Sequence, residues 1–88
     1  MAATAATLRV AAQVIENYWP EQQLDVVTAI RIAAGTGPDG YELSELALRT
    51  LADHLGYGHL NVWSDRHTTI HITAELRKAA DATQERAR

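Results

Sequence analysis

Apolar side chains recur at the three- and four-residue spacing of a helix along most of this chain, and alternate with polar ones in a single stretch. Leu8, Ala11, Ala12, Ile15, Tyr18 and Trp19 fall on one helical face, which predicts a first helix over about residues 4–18. Pro20 stops it: the residue before a proline is pushed towards extended backbone, while proline itself suits the first turn of a new helix, with Glu21 and Asp25 near its positive end. Residues 24–34 are apolar on most sides, interrupted only by Asp25, Thr28 and Arg31, and predict a central helix ended by Gly35. Their β-branched content also permits a strand. Thr36 to Gly40 is turn chemistry under either reading. Leu43, Leu46, Ala47, Thr50, Leu51, His54 and Leu55 form the cleanest amphipathic pattern, a third helix with Gly56 as its C-terminal cap.

Alternation takes over in residues 59–72 and predicts a β-hairpin. With Asp65, Arg66 and His67 as a three-residue loop, the pairs Val62/Ile70 and Leu60/Ile72 place four aliphatics on one side. The other side then carries His59, Asn61, Trp63, Thr69 and His71. A two-residue loop would split the aliphatics between faces, so the longer loop is preferred. Beyond the hairpin, Thr73 can cap a fourth helix with Glu75 in its first turn, and only Leu76, Ala79, Ala80 and Thr83 continue its face. The expected architecture is an α+β fold, three to four helices packed on one antiparallel hairpin, forming a single domain over residues 1–88 with 1–6 and 84–88 frayed or disordered. Its expected core comprises Leu8, Ile15, Leu24, Val27, Ile30, Leu43, Leu46, Leu51 and Leu55 together with Leu60, Val62, Ile70 and Ile72.

Composition narrows the function classes. A chain of 88 residues buries only roughly 60% of its unfolded surface, so a partner subunit is a natural source of further core. The absence of cysteine excludes disulfides, thiolate metal sites and a cysteine nucleophile. The alanine-rich start lacks the basic and long apolar regions of a secretory signal, and no apolar run approaches the ~20 residues that span a bilayer, so a cytoplasmic protein without a membrane association is expected. Eleven acidic residues against eight basic ones give a net charge of -3, and the basic residues are scattered rather than gathered as phosphate binding requires.

The motifs that could carry chemistry each have a structural counterpart. Gly35 to Gly40 matches G-x-G-x-x-G, but the preceding segment reads as helix, Pro38 removes a backbone N–H, and the chain is too short for paired βαβ halves, so no nucleotide cofactor is expected. Four histidines lie close in sequence, yet on the hairpin only His59 and His71 share a face, and two imidazoles without a third ligand do not make a zinc site. Ser64, Asp65 and His67 have the residue types of a triad within one tight turn, whereas a nucleophile, base and orienter normally converge from separate elements. Glu42 and Glu45 sit at a helix start, where the macrodipole accounts for them. Neither catalysis nor a metal is expected.

In architecture, residues 21–72 resemble winged-helix DNA-binding domains, with Asp65-Arg66-His67 as the wing tip and Tyr41-Glu42-Leu43 as a short first strand. That resemblance implies Arg49 and Arg66 on phosphate, although the exposed positions of the third helix are mostly acidic or neutral and oppose it. Trp63 admits two readings: it is covered by a terminal helix, or it stands open as the anchor of an interface. The leading expectation is a non-enzymatic protein-interaction or regulatory module, of the size and composition of a bacterial or phage accessory protein. It would act through His59, Asn61, Trp63, Arg66 and His71 on a protein partner, or as a homodimer through the hairpin edges. DNA binding is the alternative.

Overall fold

The computed structural model describes residues 2–86, which form five helices: α1 (Ala2–Tyr18), α2 (Val26–Ala34), α3 (Gly40–Leu55), α4 (Leu60–Asp65) and α5 (Thr69–Arg86). No strand occurs among the described residues, so the fold is all-helical and the expected α+β architecture is incorrect. Met1, Ala87 and Arg88, within the terminal stretches expected to fray, lie outside the described residues.

The frame is the pairing of α1 with α5. Arg9 bonds Asp81 at 2.8 Å and Arg77 grips Glu16 through two bonds of 2.7 and 2.9 Å, matching early residues of one helix with late residues of the other. The two therefore run antiparallel. Ala5, Leu8, Ala11, Ala12 and Ile15 on α1 and Ile72, Leu76, Ala79 and Ala80 on α5 are all buried in one core. The short alanine side chains allow a close interhelical approach, which is why the apparently weak face of the last helix packs well. Thr4 and Ala5 are buried as well.

The middle helices close this frame. α2 starts at Val26, with Asp25 as the extended residue before it, and stops at Gly35, whose φ of 84° is open to glycine. Pro20 does not open a helix: Trp19 still donates its N–H to Ile15 and Gln22 donates to Tyr18, so Pro20 sits in a turn that runs on to α2. α3 ends as expected at Gly56, in the left-handed conformation with φ 68°. Of the expected core, Leu24, Ile30, Leu51, Leu60 and Ile72 join Leu8 and Ile15 in full burial; Val27, Leu43, Leu46, Leu55 and Val62 are half-buried, and Ile70 is exposed.

Residues 59–72 are the main correction. Leu60, Trp63 and Ser64 are the buried face of α4 at i, i+3, i+4, and Ser64 Oγ accepts the N–H of Val26 at 3.1 Å, locking α4 to the start of α2. Asp65 ends that helix, and Thr68, not Thr73, caps α5: its hydroxyl accepts the N–H of His71 at 3.2 Å, and its carbonyl accepts that of Ile72. A hairpin would have paired Val62 with Ile70 and Leu60 with Ile72, but a lone two-stranded ribbon is marginal and would leave Leu76, Ala79 and Ala80 without the antiparallel partner that α1 provides. Tertiary packing outweighs the β propensity of Thr68, Thr69, Ile70 and Ile72. With no hairpin there is no wing, and the winged-helix resemblance falls with it, as does dimerisation through strand edges.

Candidate interaction site

His59, Trp63, His67 and His71 stand at four-residue intervals, one turn of helix apart. The last three remain together although α4 ends and α5 begins between them. The His67 ring stacks on the Trp63 indole with centroids 4.6 Å apart, and His71 stacks on His67 at 4.7 Å with the planes inclined by 19°. His67 Nδ1 donates to the Trp63 carbonyl at 2.6 Å, which fixes the ring and leaves Nε2 as its remaining hydrogen-bonding atom. Trp63 is 8% exposed and belongs to the core, so of its two sequence readings the covered one applies.

The five residues expected to form one binding face are dispersed. Trp63 and His71 come within 6.0 Å of each other, joined by His67, which the hairpin pattern puts at a loop tip. His59 meets the edge of Tyr57 at 5.8 Å. Asn61 lines a separate hollow of about 290 Å³ beside Arg49 and Leu48, and Arg66 is exposed in the turn after α4. Without the hairpin His59 and His71 are no longer cross-strand neighbours, and no cluster of three or more metal-ligating side chains forms among the described residues. The triad types are committed elsewhere: Ser64 Oγ to Val26, His67 to the Trp63 carbonyl.

An apolar groove that the sequence pattern does not reveal adjoins this stack. Because α1 and α5 are antiparallel, the end of α1 and the start of α5 meet, bringing Trp19 beside Thr69 and Ile70. Two adjoining hollows of about 440 and 230 Å³ are lined by Trp19, Ile70 and Thr69, the larger also by Gln23, His67 and Thr68, the smaller by Glu16 and Thr73. Ile70 is 82% exposed and Trp19 55%. Half of a signal exists in the sequence, since Trp19 lies one turn beyond Ile15, but the buried face of α1 ends at Ile15 and the chain turns away after Tyr18.

Glu16, the carboxylate in the groove lining, is engaged. The Arg77 guanidinium bonded to Glu16 holds that carboxyl below the ordinary glutamate value, against the opposing effect of burial. Further along α5, burial pushes the Glu75 carboxyl up, but bonds from His54 at 3.1 Å and Lys78 at 3.4 Å outweigh it and leave it lowered. His54 thereby ties α3 to α5. No helix among the described residues is long and apolar enough to cross a membrane.

Compared with protein-family models, characterised proteins and solved structures, the chain finds no match in any of the three.

Proposed function

We propose that this chain is a small non-enzymatic protein-interaction or regulatory module, and that it binds through the groove between the end of α1 and the start of α5. The observation that carries the reading is the exposure of Ile70 and Trp19 on either side of a hollow. Rigid aromatic side chains beside a pocket, with polar groups at the rim, are the usual composition of an interface centre. The Trp63, His67 and His71 stack supports one wall, since His67 both lines the hollow and is anchored by its bond to the Trp63 carbonyl. The lining offers hydroxyls, an amide and an imidazole, a set suited to the uncharged surface of another protein.

The test is a photo-reactive side chain placed at position 70, with position 32 as the control because Ile32 is also an exposed aliphatic. Irradiation in a lysate of the source organism should give protein adducts from position 70 and few from position 32. Equal labelling from both positions would remove the groove as a specific surface.

A further inference from the structure

We infer that the hollow where α2, α3 and α4 meet binds a small monocarboxylate with an apolar tail, its carboxylate on Arg49 and its tail against Leu48 and Leu60. The inference goes beyond the groove reading, and the two sites share no lining residue, so either can fail alone.

One helix face supplies half of the site. Glu45, Leu48, Arg49 and Ala52 stand at i, i+3, i+4 and i+7 along α3, so they fall on a single side of it. Val27 of α2 with Leu60 and Asn61 of α4 complete the lining. The apolar part is firmly seated, because Leu60 is buried and Val27, Leu48 and Ala52 pack against the core. A volume of about 290 Å³ lies at the lower end for ligand pockets and suits a molecule of few heavy atoms.

Charge selects the ligand. The Glu45 carboxylate accepts a bond from Arg31 at 3.3 Å, and Arg31 also donates to Ser44 Oγ at 3.0 Å. Arg49 enters no ion pair and no side-chain hydrogen bond among the described residues, and Asp53, one turn further along α3, lies outside the lining and does not reach it. The unbalanced charge on the hollow is therefore positive, on a chain whose net charge is -3. A guanidinium fork matches a carboxylate with two parallel bonds, and the Asn61 amide stands in the same lining as a further donor. Glu45 repels a second negative charge, which disfavours a phosphate dianion. The apolar lining would leave the hydroxyls of a sugar unpaired. A single negative charge on an aliphatic tail meets both conditions.

Titration of the purified full chain with hexanoate, followed through its backbone amide NMR resonances, tests this. Saturable shifts are expected around Leu48, Arg49, Leu60 and Asn61, with a dissociation constant on the order of 1 mM. Hexanamide keeps the tail and loses the charge, and should bind roughly tenfold more weakly or worse; so should hexanoate to Arg49→Gln, since each change removes a charge-assisted bond. Acetate should also bind more weakly, for want of a tail. Arg49 is exposed, and an unaltered helical circular dichroism spectrum confirms that the variant folds. A peptide C-terminus presents the same carboxylate, but the amides of acetyl-glycyl-leucine would meet the apolar lining unpaired, so it should be the weaker ligand. The inference is overturned if hexanoate gives no saturable shift up to roughly 20 mM, if hexanamide or acetate binds equally well, or if Arg49→Gln leaves the affinity unchanged. Tighter binding by the peptide overturns the free acid as the ligand. Cross-linking from position 70 reads the groove separately, so none of these results decides that reading.

Discussion

A Cβ at Gly40 would run into the carbonyl of Gly35, because the loop between α2 and α3 folds back on itself and brings the two backbones together. Glycine in the first turn of a helix ordinarily costs up to about 1 kcal/mol relative to alanine, so the usual expectation for Gly40→Ala is stabilisation. The clash with backbone, which cannot rotate out of the way, reverses that sign. Gly40→Ala should destabilise by about 1–3 kcal/mol, read as a lower midpoint in urea, whereas Gly37→Ala in the same loop meets no atom within 4 Å and should be neutral or slightly stabilising. Equal midpoints for the two variants would refute the close approach. The G-x-G-x-x-G match is thus accounted for at its first and last positions by the geometry of an interhelical turn: positive φ at Gly35 and lack of room at Gly40.

The elements differ in how far the sequence announces them, and the difference follows from where their stabilising contacts lie. α3 is legible because its buried positions Ala47 and Leu51 and its cap Gly56 are local signals that packing merely reinforces. α4 and α5 pass for a hairpin because Leu60, Val62, Ile70 and Ile72 fit period two as well as parts of a helical period, and threonines favour strands locally. The four-residue spacing of Trp63, His67 and His71 is the contrary signal, present in the sequence itself. The groove is legible only in the placing of Trp19 one turn beyond Ile15: Trp19 and Ile70 are brought together by antiparallel docking of helices at opposite ends of the chain, which no local pattern encodes. That docking carries a pH signature. Glu16 and Glu75 both have lowered folded-state values, so each contributes stability that is present above the ordinary glutamate pKa and lost as pH falls through the depressed one. Wild-type stability should therefore decline as pH drops below about 4.3, and a Glu16→Gln, Glu75→Gln double variant should show a shallower decline over that range. Parallel acid profiles would mean that the ion pairs of both glutamates are screened to insignificance, as half-exposed pairs such as Glu16 with Arg77 often are.

For the whole molecule, folding leaves apolar surface uncovered. The core depends heavily on alanines, with Ala5, Ala11, Ala12, Ala29, Ala47, Ala79 and Ala80 all buried, so it gains close packing but little apolar area per residue. A chain this small, with Ile70 and Trp19 left in water, has surface available for a second source of burial. A partner in the groove would stabilise the fold by mass action, because it binds the folded chain and not the unfolded one. Raising the partner's concentration to ten times its dissociation constant then adds up to about 1.4 kcal/mol, enough to lift the melting temperature by several degrees in a domain of this length. Wild-type Tm should climb with added partner, recovered by cross-linking at position 70, while that of Ile70→Asp stays level. Without the partner the two should differ only by the roughly 0.3–1 kcal/mol that an aspartate in the first turn of α5 gains from the helix dipole, because an 82% exposed side chain gives up little contact within the chain. A Tm of Ile70→Asp well below that of the wild type without the partner would mean that Ile70 acts within the isolated chain, and the exposed helix start would then need another explanation.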